Sequence, residues 1–496
     1  GTLDTKSGTN HALTVTGEVS ITGTLTGNES TISMRNLVIT AAGTYSATNQ
    51  TTTITGEDTA GNYAIDMAAG GTFTHNNGNV IIEESNNTVI RGMEGDDTSG
   101  TGANAFYRLQ IDIGNGSQCH LTPAAGTSIN IVNNVSIAEG ILRLGSDAHT
   151  LTVGGNLDIE SGGQFGLTTH TGAHEFGSIT VASGGTYIAT SGITTITGEA
   201  GSGYALEVSG TFTHNDGTVT VTTAATTFIK CGSSLYNLII NASSQVHEWV
   251  DNTTINNDLT ITAGRFTHNS STHTLTVTGN VLISSGGEID GGSTTVSFGS
   301  LTIASGGTYS ATSGVTTLNG TSGDLFECPG TFTHNNGTVK FDRSGLSQHW
   351  YVDEAITLYN LIINSNLVRS SGGTHLLTVL NDITINASNS WKFTAGSAGR
   401  YLTVGSSTNQ GAIINNGNFY LGGDGTGDVR IYGGDVLKPI LISGNDFDWD
   451  DETSGSGVVA LKWIDYDPDV TTGGDGVTIQ LDGDCEFDAV TVSSGD

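Results

Sequence analysis

Two sets of carboxylates and three aromatic side chains are the candidates for chemistry in this chain of 496 residues. One set lies near its end: Asp446, Asp448 and Asp450, then Asp465, Asp467 and Asp469. Closely spaced loop carboxylates suit Ca²⁺, which takes six to eight oxygen ligands. The EF-hand spacing of acidic residues to a distal Glu is missing, and Gly422-Gly423-Asp424-Gly425 is a lone fragment of the tandem GGxGxD calcium repeat. These six residues are therefore candidate ligands for structural calcium, set against the plainer reading of a solvated acidic surface. No other cofactor is expected.

The second set places carboxylates beside aromatic rings. Glu248 and Asp251 flank Trp249, and Asp353 and Glu354 follow Trp350 and Tyr351. Carboxylate pairs cleave glycosidic bonds, and aromatic rings offer a flat apolar face to a sugar. Residues 246–252 and 348–355 both read as irregular stretches, at corresponding places after a repeated word. Repetition at equivalent places favours a structural loop over a unique active centre, so no catalytic residue is assigned and no enzymatic activity is expected. Trp249, Trp350 and Tyr351 remain candidates for a glycan-binding side groove.

His75, His214, His268 and His334 recur within the word FTHN. Their wide spacing supplies no local ligand pair. The Asn-Asn-Gly or Asn-Asp-Gly after three of them is a turn signal, which makes each His a strand-end residue. The motifs GxSxG, HExxH and GxxxxGK[ST] are absent. Cys119, Cys231, Cys328 and Cys485 have no zinc or redox spacing and read as small buried hydrophobes.

The elements that position these residues come from repeats. Residues 43–48, 185–190 and 307–312 read GTYSAT, GTYIAT and GTYSAT. Each is followed by TTITG or TTLNG and then by GTFTHN, at 71–76, 210–215 and 330–335. Three copies in one order make a tandem array. The long repeats open at Leu13, Leu151, Leu275 and Leu377, dividing the chain into 1–150, 151–274, 275–376 and a divergent 377–423. Residues 424–496 hold 17 acidic and 3 basic residues, and read as an acidic cap or a small separate β-domain. The stretch 92–102 reads as an inserted loop.

A shorter period runs inside the long one, as in Leu157 to Ile179 and Val281 to Leu301. Apolar residues alternate with Thr, Ser and Asn between glycines, the pattern of a half-buried strand. A repeat of about 20 residues predicts an all-β fold, an elongated parallel β-solenoid. At the inter-strand spacing of about 4.8 Å, ~25 coils would make a rod of roughly 120 Å. Alternating Val, Ile and Leu point inward, and glycines turn the corners. FTHNNG reads as such a corner, or equally as a hairpin.

Composition agrees. Charged residues are 13%, below the usual quarter, while Gly numbers 72 and Pro only 4. A net charge of −33 argues against nucleic acid, whose phosphates need clustered Lys and Arg. It keeps a long β-protein soluble. No apolar stretch is long enough for a membrane-spanning helix. Without an initiator Met or a signal peptide, Gly1 reads as the start of a processed form or a fragment.

The coil 301–308, LTIASGGT, resembles the parallel β-helix coils of bacterial surface adhesins and autotransporter passengers. The words GTFTHNNGTV at 330–339 and LYNLIIN at 235–241 and 358–364 are similar to those of giant repetitive proteins of environmental bacteria and marine phages. The resemblance implies an extracellular protein on a cell or virion: a stalk, fibre or surface layer. A glycan-binding adhesin or receptor-binding fibre is the alternative, and a polysaccharide-degrading tailspike a third. Its expected partners are other copies of itself, neighbouring surface or virion proteins, and glycans.

Overall fold

The structure is a computed structural model. It describes residues 1–423 except 60, 94–103, 124–127, 269, 271, 322, 344–346, 352–354, 366, 372–374 and 396–399. Beyond 423 it describes only strands within 429–433, 440–444, 447–448, 459–462, 464–466 and 485–487. Every regular element among the described residues is a β-strand, as β-branched abundance and scarce helix formers require. Among the described residues no helix is long and apolar enough to cross a membrane.

The chain forms two compact units, Gly1–Thr254 and Ile255–Asp496. In the first, each coil lays down three strands, and each strand pairs in parallel with its counterparts in the neighbouring coils. One face stacks Leu13, Ile32, Thr52, Val80, Leu109, Val135, Leu157, Ile179, Leu206, Ile229 and Trp249 in register. A second stacks Cys119, Leu142, Phe165, Tyr187 and Phe212. The third carries Leu25, Tyr45 and Phe73 in its early coils and Ile131, Val153, Phe176, Ile196, Val221 and Ile240 in its later ones. Among the described residues, the exception to parallel pairing is Lys6–Ser7 with Thr9–Asn10, which pair antiparallel.

Alternation decides what is inside. In Val135–Leu144 nearly every second side chain is buried, and full burial of such a residue contributes about 1.5–3 kcal/mol. The coil is about 22 residues, longer than the expected 20, so the chain makes fewer coils than that period implied.

The second unit repeats the plan. Leu259, Val281, Leu301 and Phe326 stack on one face. Phe266, Ile289, Tyr309 and Phe332 stack on another. Leu275, Val296, Thr316, Val339, Leu361, Ile383 and Ile413 line a third. Described strands of the acidic stretch extend the third column, Ile413 pairing with Ile442 and Ile442 with Tyr466, and in a separate parallel sheet Val459–Lys462 pairs with Val429–Gly433 and with Cys485–Phe487.

Corners are of two kinds. At Ser-Gly-Gly corners, Gly184 and Gly306 sit at φ 87° and 83°, a region that a Cβ makes costly. At the FTHN corners the left-handed residues are not glycines, as expected, but Asn76 and Asn77, Asn215 and Asp216, and Asn335 and Asn336, all with φ between 44° and 62°. Asn and Asp are the side-chain-bearing residues that tolerate this conformation best. The strands before and after the turn, Thr72–Thr74 and Asn79–Glu84, belong to different faces. FTHNNG is therefore a corner and not a hairpin.

Candidate functional site

The recurrent words resolve into two interactions. In each GTY…TT word the Tyr hydroxyl bonds a Thr hydroxyl seven residues on: Tyr45 to Thr52 at 2.8 Å, Tyr187 to Thr194 at 3.2 Å and Tyr309 to Thr316 at 2.8 Å. All six residues are buried. Burial, partly offset by the bond to Thr52, pushes the Tyr45 hydroxyl up to about 12. Burial moves Tyr187 and Tyr309 the same way. A buried hydroxyl needs a partner, and the Thr seven places after the Tyr supplies it.

The FTHN histidines are built into their corners. Nδ1 of His75, His214 and His334 accepts the backbone N–H two residues on, from Asn77 at 2.9 Å, Asp216 at 3.0 Å and Asn336 at 2.9 Å. Each ring also stacks on a Tyr of the following coil: Tyr107, Tyr236 and Tyr359, with centroids 5.3, 5.4 and 5.8 Å apart. The ring of His268 lies between the carbonyls of Ser270 and Gly291.

Trp249 corrects the glycan-groove expectation. It is 0% exposed and ends the strand Asn237–Trp249, so residues 246–249 are regular and not an irregular loop. Its ring occupies the core column in register with Ile229 and cannot stack on a sugar. Glu248 and Asp251 are half-buried, and the Thr253 hydroxyl donates to Asp251. Trp350 and Tyr351 lie in the strand Ser347–Tyr351, but their side chains, like Asp353 and Glu354, fall outside the described residues. The same holds for Asp446, Asp450, Asp467 and Asp469. Asp448 and Asp465 lie in strands paired with Phe419–Tyr420 and with Leu441, again with side chains outside the description.

One charged feature was not anticipated. Glu83, Asp112 and Glu139 are register partners on three successive coils. With Thr55, Glu84, Ser85, Ile113 and Gly114 they line an open lateral groove of about 430 Å³. Burial, then the charges of Glu84 and Asp58, raises the Glu57 carboxyl, with Arg35 opposing. Carboxylates one coil apart, at about 4.8 Å, gather counter-ions. Even so, no group of three His, Cys, Asp or Glu among the described residues is placed to hold one metal ion. The signal was hidden because the three residues become neighbours only once coil lengths are known, and their spacings here exceed one coil of about 22 residues.

Cys119 and Cys231 are free and buried, and burial pushes both thiols up to about 12. Cys328 is half-buried, its thiol directed at the Gly330 carbonyl at 3.7 Å. Compared with known proteins, the chain matches no family model, no curated protein and no solved structure.

Proposed function

We propose that this chain is a non-enzymatic structural protein of a cell or virion surface, serving as a stalk, fibre or surface layer. The observation that carries this reading is where the recurrent polar side chains are used. The repeated Tyr, Thr and His residues bond or stack within their own coil or onto the next one. What these words repeat is thus the means of holding one coil to another. The mechanism is mechanical. Load along a stack is shared by the backbone ladders of each coil, and the net charge of −33 keeps neighbouring molecules apart. Copies of itself and adjacent surface proteins are its natural neighbours.

Immunogold labelling of intact cells and virions from the source tests this directly. Label on the outer surface of either is expected; label confined to the cytoplasm would end the proposal. The glycan-binding alternative has lost Trp249 and rests on Trp350 and Tyr351. It requires glycan-array binding that disappears in Trp350→Ala.

A further inference from the structure

His170 and His174 stand inside the first unit in a largely apolar setting. They are 0% and 1% exposed; neither ring nitrogen of His174 has a hydrogen-bond partner, and beside His170 lies the Leu144 backbone. Buried polar atoms are normally paired. His174 occupies a core column, in register with Leu151 on one side and Thr194 on the other. Its ring meets Phe165 and Phe176 edge-on at 5.3 and 6.1 Å, and His170 at 5.9 Å.

The fold does not need imidazoles there. The matching column of the third long repeat runs Leu275, Val296, Thr316, and that of the first runs Leu13, Ile32, Thr52. His174 therefore stands where the other copies place Val and Ile. The backbone gives the equivalents of His170: Ser191 N–H donates to its carbonyl as Ser313 does to Gly292 and Asn49 to Asn28. Two of three copies manage with no titratable side chain at either place. The second copy carries two, packed together.

We propose that His170 and His174 form an acid-sensitive latch. At neutral pH the uncharged rings close the coils spanning residues 151–196, and protonation opens them. Two cations in contact inside a core are far costlier than two neutral rings, and protonating one ring disfavours the other. The charged groups near His170 are Asp147, which favours its cation, and Arg143 and His149, which oppose it. The Leu144 backbone also favours the cation, but burial outweighs both it and Asp147 and lowers the pKa. His174 is lowered to about 3, first by burial and then by His170. Below its ordinary value of 6.5 the open state takes up the proton and the closed state does not. Stability is therefore full above about pH 6.5 and falls as pH drops towards 3. His247 is a third buried, lowered imidazole, with its Nδ1 at 2.8 Å from the Thr227 hydroxyl. The test must therefore read position along the chain.

Hydrogen exchange of the full chain, resolved by peptide and corrected for intrinsic rates, tests the latch between pH 7 and pH 4. For His174 alone, protection of residues 174–181 should fall roughly 200-fold more in the wild type than in His174→Val. Residues 296–303, around Val296, should keep their protection in both proteins. Val296→His should transfer part of the acid lability to 296–303. Equal loss in the wild type and His174→Val, or parallel loss at 174–181 and 296–303 within the wild type, would overturn the latch.

Discussion

At the scale of single residues, polar side chains of this protein are placed to complete a core. Tyr187 and Thr194 are both buried and bonded to each other. Tyr187→Phe strands the Thr194 hydroxyl, so it should cost about 1–3 kcal/mol. That cost should appear as lost exchange protection in residues 186–196, and unchanged protection there would refute the role. The cysteines give a second check. With thiols pushed up to about 12, Cys119 and Cys231 carry almost no thiolate at pH 8. Mass spectrometry should find both unmodified by iodoacetamide in the native protein and both labelled after denaturation. The recurrence of Tyr and Thr was legible in the sequence, but the bond between them was not, because a seven-residue separation becomes a contact only when the chain turns a corner between them. Trp249 was misread for a related reason. His247 sits at an inward position of its strand, and a polar residue there hid the alternation that runs to Trp249.

At the scale of elements, corners fix where each face ends. The alternating strands and the glycine corners could be read from residues such as Leu301-Thr302-Ile303 and Gly306-Gly307, since both follow from local rules. The coil length was short by about two residues because the Asn-rich corners were less easily delimited than the Gly-Gly ones. The acidic groove was out of reach: Glu83, Asp112 and Glu139 meet only through coil-to-coil register. Close approach between coils makes its own prediction. The backbone N–H of Gly198 donates to the Gly177 carbonyl at 2.7 Å, and a Cβ on Gly177 would lie 2.8 Å from the carbonyl oxygen of Gly155. Gly177→Ala should therefore force neighbouring coils apart, destabilising by about 1–3 kcal/mol. Thermal unfolding followed by circular dichroism should show the lowered midpoint. Gly201→Ala, where nothing lies within 4 Å, is the control and should leave the midpoint nearly unchanged.

At the scale of the whole molecule, charge is the dominant unbalanced quantity. The 48 acidic residues face only 15 basic ones, so self-repulsion opposes the compact state. Raising salt from about 10 mM to 150 mM shortens the screening length from roughly 30 Å to 8 Å and should raise the unfolding midpoint. A midpoint indifferent to salt would mean that the carboxylates are already neutralised by bound cations. Acid acts in opposite directions at different places. Protonating exposed carboxylates lessens repulsion everywhere, while protonating His170 and His174 costs stability in their own coils.

The account as a whole rests on coils stacked in parallel, with each residue set beside its counterpart one coil on. Thr152 and Glu175 are such a pair, and Thr195 is the partner of Glu175 one coil further. Adjacent parallel strands lie about 4.8 Å apart, within the Cα range a disulfide spans, while two coils exceed the roughly 7 Å limit. The measurement is oxidation of two double variants, read by mass spectrometry of intact and digested protein. Thr152→Cys with Glu175→Cys should close an intramolecular disulfide readily, and Thr152→Cys with Thr195→Cys should not. Closure of the second pair in preference to the first would contradict the stacking on which everything above depends.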